Sequence, residues 1–288
     1  MAGITEHLSL LGLRLRGWRR RHVDTSVGRV HLLDVRGRGT LPPVVFLHGL
    51  SSAGSHYGAL LVRLRPFVRR VIVPDLPAHG FSETPARVDL DALFTGLRES
   101  LDRVLGEPAV LVGNSLGGAM ALRYALARPD RVLGLALLAP GGAPLNAAEI
   151  DDLRGLFSVE SDRDALRFVD RVMVRPGAMR RLYAAGIRAG FARPAVRILL
   201  DALSPDDALS PDDLRALKVP ARVLWGAEER VFPPSSRTFF EAHLPAHGRL
   251  EVHHGLGHCA HLDDCDRVVR ILLGWCEEFA RRGLSGAA

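Results

Sequence analysis

Residues 109–118 read AVLVGNSLGG and join an apolar run to a segment of helical composition that continues to residue 127. An apolar run, a tight turn and a helix form the context in which a strained backbone presents a serine hydroxyl. Ser115 stands at that turn, and the glycines around it allow the strand and the helix to approach closely. The stretch therefore predicts a strand, a turn and a helix, with Ser115 as the candidate nucleophile.

Apolar runs alternate with helical segments along the rest of the chain. This alternation is typical of a mostly parallel, doubly wound α/β sheet with helices on both faces. A hairpin centred on Gly28, over residues 23–35, is predicted to add antiparallel strands at the sheet edge. The predicted strands are 44–47, 70–74, 109–112, 132–138, 221–225 and 249–253, and the predicted helices lie near 56–65, 89–105, 117–128, 234–244 and 262–282.

A segment without a convincing strand interrupts this alternation. Residues 143–213 have helical periodicity and are interpreted as a helical cap inserted after the sixth strand, so the α/β core comprises residues 23–142 and 214–288. Residues 1–22 form a leading amphipathic and basic segment. Inside the cap, the sequence Ser-Pro-Asp-Asp occurs twice, at 204–207 and 210–213. Each copy is typical of a helix start.

The charge of the chain raises the question of a nucleic-acid partner, since the net charge is +6 and the pI is near 10.0. The 38 basic residues are spread out and only Lys218 is a lysine. No nucleic acid is therefore expected. The one dense basic cluster is Arg14, Arg16 and residues 19–21, which follows several leucines. We interpret residues 8–21 as a solvated amphipathic helix, with a weak membrane-surface contact as the alternative.

The cysteines and the hydropathy pattern indicate a compartment. Cys259, Cys265 and Cys276 are odd in number and crowded together, which does not suit a disulfide framework. No apolar run approaches the roughly 18 residues of a membrane span. The basic cluster follows the leucines, whereas a secretory signal places its positive charges first. These features predict a cytoplasmic protein.

A serine nucleophile requires a base and a carboxylate that orients the base. His258 lies in a short loop between the last predicted strand and the final helix. Glu229 follows the preceding strand, with Glu228 beside it as the alternative acid. The carboxyl ends of parallel strands meet at one edge of a sheet, where Ser115 also lies. The chain order Ser115, Glu229, His258 is the nucleophile, acid, base order of one particular fold.

These features together resemble the α/β-hydrolase superfamily over about residues 25–282. The further motifs are HGL at 48–50, PDLPAHGFS at 74–82, GAEERVFP at 226–233 and GHCAHLD at 257–263. Ala78 stands where the family usually has glycine, Cys265 where proline is common, and Glu229 where aspartate is more frequent. The extra methylene of Glu229 requires the backbone to recede if the carboxylate is to reach His258 at hydrogen-bond distance.

The resemblance also implies an oxyanion hole formed by the backbone N–H groups of Leu50 and Leu116. The histidines and cysteines of residues 253–265 resemble a metal cluster in composition but lack the paired spacing of zinc ligands. The chain has no Walker or dinucleotide glycine motif. Neither a metal nor a cofactor is expected. The candidate substrate pocket consists of His48, Asn114, Phe157, Met173 and Tyr183.

The leading functional hypothesis is a serine hydrolase that cleaves carboxylic esters through an acyl-enzyme on Ser115. One alternative is hydrolysis of carbon–carbon bonds in ring-cleavage products, because the GNSxGG turn resembles that subfamily, although no tryptophan closely follows His258. The other alternative is a catalytically silent binding protein on the same fold. The expected partner is a small ester or acyl compound, and the sequence does not give an oligomeric state.

Overall fold

A single eight-stranded sheet organises the protein, whose computed structural model describes residues 4–285, with side chains described over 6–282. The spatial order is β1-β2-β4-β3-β5-β6-β7-β8; the β1–β2 and β2–β4 pairs are antiparallel and the other neighbours are parallel. The strands are β1 (Arg19–Thr25), β2 (Gly28–Arg36), β3 (Val44–Leu47), β4 (Arg70–Pro74), β5 (Ala109–Ser115), β6 (Val132–Pro140), β7 (Ala221–Gly226) and β8 (Arg249–His253). The predicted mostly parallel, doubly wound fold is confirmed.

Helices cover both faces of this sheet. They are α1 (Ile4–Leu15), α2 (Gly58–Leu64), α3 (Leu90–Val104), α4 (Leu116–Ala127), α5 (Ala147–Phe157), α6 (Asp162–Val172), α7 (Arg180–Phe191), α8 (Pro194–Ala202), α9 (Pro211–Arg215), α10 (Pro234–His243), α11 (Ala260–Asp263) and α12 (Cys265–Ser285). In the part of the chain that the structure describes, no helix is long and apolar enough to span a bilayer.

The central strands are buried on both faces, which explains their continuous apolar sequences. Val45 and Leu47 of β3 point into one apolar layer, which α3, α4 and α10 cover. Val44 and Phe46 point into the opposite layer, which α1, α2 and α12 cover. This alternation follows from the two-residue period of a strand. The sheet is thereby held rigidly between two cores.

The hairpin at the sheet edge is confirmed, but its first strand begins earlier than predicted. Arg19 pairs with Asp34 and Thr25 pairs with Gly28, so the predicted boundary after residue 22 falls inside β1. Residues 19–22 are exposed. An exposed strand has no apolar alternation, and the sequence pattern therefore did not reveal its start.

Helices α5 to α9 lie between β6 and β7, and residues of α5 to α8 form a third apolar cluster. The rings of Phe157, Phe168 and Phe191 meet at its centre, with centroid separations of 5.1 to 5.6 Å. Both Ser-Pro-Asp-Asp segments begin helical turns, as predicted, and Ser204 and Ser210 are their capping residues. This helical layer lies over the end of the sheet that carries Ser115, since residues of α5 and α8 line the same cavity as Ser115.

Candidate active site

Ser115 occupies a strained turn between β5 and α4. Its backbone has φ 56° and ψ −120°, a conformation that a residue with a side chain rarely adopts. Such strain persists only where the surrounding structure enforces it, and it is concentrated at functional sites. The turn places Ser115 at the carboxyl end of a central strand.

Three glycines allow this turn to form. A Cβ atom on Gly117 would lie 2.1 Å from the carbonyl oxygen of Leu47, and one on Gly113 would lie 2.4 Å from the carbonyl oxygen of Gly117. A Cβ atom on Gly118 would lie 2.7 Å from the Cβ of Pro140. Real Cβ atoms do not approach backbone this closely, so only glycine fits at the first two positions.

His258 and Glu229 form a buried pair. The Nδ1 of His258 lies 2.9 Å from Oε2 of Glu229, and the two side chains are 6% and 3% exposed. The other carboxylate oxygen, Oε1, accepts the N–H groups of Val231 and Phe232 at 2.7 and 3.1 Å. Because a carboxylate only accepts hydrogen bonds, Nδ1 of His258 carries the proton and Nε2 is left as an acceptor.

The surroundings keep Glu229 ionised. Burial by itself raises the pKa of this carboxyl, but His258 and the N–H groups of Val231 and Phe232 outweigh burial and hold the pKa below its usual value. The alternative acid, Glu228, is engaged elsewhere, since its Oε2 accepts the N–H of Gly255 at 2.9 Å. Of the two adjacent glutamates, only Glu229 contacts the imidazole.

The loop after β3 lies against Ser115. A Cβ atom on Gly49 would be 3.4 Å from the Cβ of Ser115, so the two backbones are in close contact. Leu50, the next residue, borders the same cavity as Ser115 and Leu116. Leu116 is the first residue of α4, and its N–H has no acceptor within the helix. These are the two positions whose N–H groups the family resemblance implies for an oxyanion hole.

A hydrogen-bonded network joins the three loops of the site. The hydroxyl of Tyr57 donates to Oδ1 of Asn114 at 2.9 Å and accepts the N–H of Gly49 at 3.4 Å. The Nδ2 of Asn114 donates to the carbonyl oxygens of Leu138 at 2.9 Å and His258 at 3.2 Å. Since Asn114 precedes Ser115, this side chain ties the serine turn to the histidine loop. Sequence reasoning did not identify Tyr57, because no motif marks it.

His48 holds the neighbouring loops together. It is fully buried, its Nε2 accepts the N–H of Leu76 at 3.0 Å, and its Nδ1 donates to the carbonyl oxygen of Gly49 at 2.8 Å. Burial lowers the pKa of His48, in keeping with a neutral ring that uses both nitrogens. Its position is structural, and it fixes the backbone from which Leu50 follows.

Two departures from the family pattern have a local explanation. Ala78 has φ 67°, in the left-handed region that favours glycine, so the alanine accepts backbone strain there. Cys265 is the first residue of α12, a position at which proline fits without losing a hydrogen bond. Both positions lie in loops or at a helix end, and neither contributes a functional group to the site.

An apolar cavity of about 130 Å³ opens beside Ser115. Helices α5 and α8 form part of its wall, together with residues that follow β6. Its wall includes Leu50, Leu116, Leu145, Ile150, Leu153, Phe157, Leu199, Leu203, Asp207, Phe232 and Ser236. The ring of Phe232 also meets that of His258 edge-on, with centroids 5.2 Å apart. Phe232 therefore connects the cavity with the Glu229–His258 pair.

The predicted pocket residues do not all border this cavity. Phe157 does, whereas His48 and Asn114 lie behind it in the hydrogen-bonded loops. Met173 and Tyr183 pack in the third apolar cluster. The other wall residues of α5 and α8, which are Ile150, Leu153 and Leu199, were not predicted. Apolar periodicity shows that one face of a helix is buried, but it does not show which element or cavity lies against that face.

A family profile described as the alpha/beta hydrolase family matches residues 44–271. This range includes the serine turn, the acid loop, the histidine loop and the helical layer. The chain belongs to the alpha/beta hydrolase family.

The proteins that this chain resembles are named for different substrates. The 2-hydroxy-6-oxo-2,4-heptadienoate hydrolase of Pseudomonas putida is 28% identical over 265 residues, which cover 83% of this chain and 91% of that protein. Among solved structures, naproxen esterase from Bacillus subtilis has a TM-score of 0.75 at 19% identity, covering 95% of this chain and 97% of its own. The 2-hydroxy-6-oxo-6-phenylhexa-2,4-dienoate hydrolase of a Rhodococcus species has a TM-score of 0.78 at 21% identity, covering 92% and 99%. At these identities the two structures establish the fold.

Proposed function

We propose that this hydrolase cleaves small carboxylic esters through an acyl-enzyme on Ser115. The observation that carries the proposal is the buried 2.9 Å contact between His258 and Glu229, next to a strained serine turn at an apolar cavity. These are the base, the orienting acid and the nucleophile of a serine triad. No metal or cofactor is required for this chemistry.

The proposed reaction has two halves. The Oγ of Ser115 attacks the ester carbonyl carbon while Nε2 of His258 accepts the hydroxyl proton, and the N–H groups of Leu50 and Leu116 stabilise the oxyanion. The proton then passes from His258 to the alcohol oxygen as the C–O bond breaks. Water attacks the acyl-enzyme with His258 again as base, and the acid leaves as Ser115 regains its proton. Glu229 stabilises the imidazolium in both halves.

The cavity suggests the size of the acyl group. We propose that residues 143–213 act as a cap whose α5 and α8 close an acyl pocket over Ser115. A cavity of about 150 Å³ accommodates a six-carbon ring, so about 130 Å³ suits an acyl chain of comparable size. Turnover of p-nitrophenyl esters should therefore peak at acyl chains of about four to eight carbons and fall steeply for palmitate.

Carbon–carbon bond hydrolysis is the second candidate, because the Pseudomonas putida relative is named for a heptadienoate. A dienoate carries a carboxylate, which needs a positively charged partner when it is buried. Among the described residues that line the cavity there is no arginine or lysine, and the charged one is Asp207. This wall favours an uncharged acyl group. Turnover of 2-hydroxy-6-oxo-2,4-heptadienoate that exceeds ester turnover would favour the second candidate instead.

The decisive experiment compares wild type with Ser115→Ala on the ester series and labels both with a fluorophosphonate probe. We expect an adduct on Ser115 of the wild type and a loss of at least about 10⁴-fold in turnover in the variant. Absence of an adduct and of turnover in the folded wild type would favour the silent binding protein. Wild-type turnover in the variant would show that another residue is the nucleophile.

We propose that the enzyme is cytoplasmic. Its three cysteines are free thiols in the structure, and one of them, Cys276, is buried. Free thiols are the normal state of cysteine in a reducing compartment. Detection of the tagged protein after cell fractionation would test this location directly.

A further inference from the structure

Helix α1 has two apolar faces, and one of them is exposed. Leu10 and Leu13 are buried against the core of the sheet, with 4% and 3% exposure. Leu8, Leu11 and Leu15 follow one another at a spacing of three and four residues and share the opposite face. They are 65%, 52% and 80% exposed. A buried face explains why α1 packs on the protein, but it does not explain an outward row of leucines.

Arginines flank this row. Arg14 lies on α1, Arg16 directly follows the helix, and Arg19 and Arg20 lie on β1, all with exposed side chains. Within the described residues none of the four forms an ion pair. Residues 8–23 contain no acidic residue at all. The positive charge beside the leucines is therefore not neutralised by the protein itself.

Two concave surfaces extend this positive charge from the end of α1. They share Gly17 and Arg19 and have volumes of about 740 and 680 Å³. The arginines that line them are Arg14, Arg19, Arg20, Arg36, Arg65, Arg69 and Arg70. Asp34 and Glu107 pair with Arg70 and Arg69, so the positive charges remain in excess. Concave arginine surfaces suit phosphate groups.

The orientation of α1 is fixed. Besides the burial of Leu10 and Leu13, Glu6 forms a buried ion pair with Arg193, which links α7 to α8. The helix therefore cannot turn its leucines inward without breaking this pair and exposing its buried face. The exposed row is a permanent feature of the surface.

We propose that this surface docks on an anionic phospholipid bilayer. The leucine–arginine surface consists of Leu8, Leu11, Leu15, Arg14, Arg16, Arg19 and Arg20. Its leucines enter the boundary between headgroups and acyl chains, and its arginines bind lipid phosphates, as in amphipathic helices that lie in the membrane plane. Nucleic acid would match the arginines but offers no apolar phase to the three leucines. Docking depends on neither Ser115 nor His258, so it stands apart from the proposed catalysis.

The test measures partitioning of the full-length protein onto vesicles by flotation. Phosphatidylcholine vesicles containing about one-third phosphatidylglycerol should bind the protein, and pure phosphatidylcholine should bind it much more weakly. One variant combines Leu8→Gln, Leu11→Gln and Leu15→Gln, and another combines Arg14→Gln, Arg16→Gln and Arg19→Gln. Each basic residue near an anionic surface contributes roughly fivefold, so the arginine variant should lose on the order of 100-fold in partitioning.

A matched control removes the same charge from another face, with Arg163→Gln, Arg171→Gln and Arg175→Gln on exposed positions of the helical layer. This control should partition like the wild type, and all variants should keep the ester turnover in solution. Failure of the wild type to bind anionic vesicles would overturn the proposal, as would equal losses in the control. The proposal would also be refuted if the leucine variant bound the vesicles as strongly as the wild type. Displacement of the protein from the vesicles by duplex DNA would refute it as well.

Discussion

Replacing Glu229 by glutamine should stop catalysis by reversing the tautomer of His258. Oε1 of Glu229 accepts two backbone N–H groups, from Val231 and Phe232, and Oε2 faces Nδ1 of His258. In Glu229→Gln the amide oxygen must stay on the two N–H donors, because an NH₂ group there would face both of them. The NH₂ group then points at Nδ1. His258 must accept at Nδ1 and carry its proton on Nε2, where it can no longer accept a proton from Ser115.

The size of the effect follows from this geometry. Reversal of the tautomer in a serine triad costs about 10⁴ in kcat, or about 5.5 kcal/mol of transition-state stabilisation. Glu229 does not border the cavity, so the KM should stay within about threefold of the wild-type value. A fall in kcat with an unchanged KM identifies an interaction that matters in the transition state and not in substrate binding.

The assay is steady-state hydrolysis of p-nitrophenyl butyrate by wild type, Glu229→Gln and the control Glu228→Gln. The control changes the adjacent glutamate, which accepts the N–H of Gly255 and does not contact His258. It should keep kcat within about threefold of wild type, because glutamine still offers an acceptor to Gly255. A Glu229→Gln enzyme within about tenfold of wild type, or an equal loss in the control, would refute the tautomer argument.

Three further predictions follow from the packing of the site. Gly117→Ala should lower the free energy of unfolding by about 3 kcal/mol in urea titrations, because its Cβ would lie 2.1 Å from the Leu47 carbonyl oxygen; full stability would contradict this packing. Tyr57→Phe should lower kcat about tenfold at constant KM, because it leaves Oδ1 of Asn114 without its donor; an unchanged kcat would exclude a positioning role. Burial lowers the pKa of His261 to about 3, so acid favours the unfolded chain, which binds the proton. Between pH 6.5 and pH 5, the free energy of unfolding in urea titrations should therefore fall by about 1.6 kcal/mol less in His261→Phe than in wild type. An equal fall in both proteins would contradict this prediction.

The parallel strands could be predicted because burial on both faces leaves a continuous apolar run. The predicted 44–47 and 70–74 coincide with the buried strands β3 and β4. The predicted 249–253 also coincides with β8, although the residues of this edge strand are exposed or half-buried. By contrast, β5 continues through Gly113 and Asn114 to Ser115, beyond its apolar part. Those residues pair with β6 by backbone hydrogen bonds that their side chains do not signal. The sequence pattern identifies buried faces, and it is weakest where a strand ends in a functional turn.

The three candidate catalytic residues were predictable for a different reason. Ser115 ends β5, and Glu229 and His258 lie in the loops after β7 and β8. Parallel strands bring such residues to one edge of the sheet. The cavity wall was not predictable, because Met173 and Phe157 have the same apolar character and both lie at the carboxyl end of a helix in this layer. Only the packing of the helices decides that Phe157 borders the cavity. The network through Tyr57 was equally hidden, because it depends on contacts between loops far apart in sequence.

The glutamate at the acid position bears on whether the site is active or decayed. A longer side chain in an unchanged loop would either miss His258 or leave a buried charge without partners, which is costly. Neither occurs, because Oε2 meets His258 at 2.9 Å while Oε1 accepts the N–H groups two and three residues further along the same loop. The extra length is thus absorbed by bonds within the loop itself. A decaying site has no physical reason to keep a buried carboxylate with three partners and an imidazole in a single tautomer. This compensation favours the hydrolase over the silent binding protein.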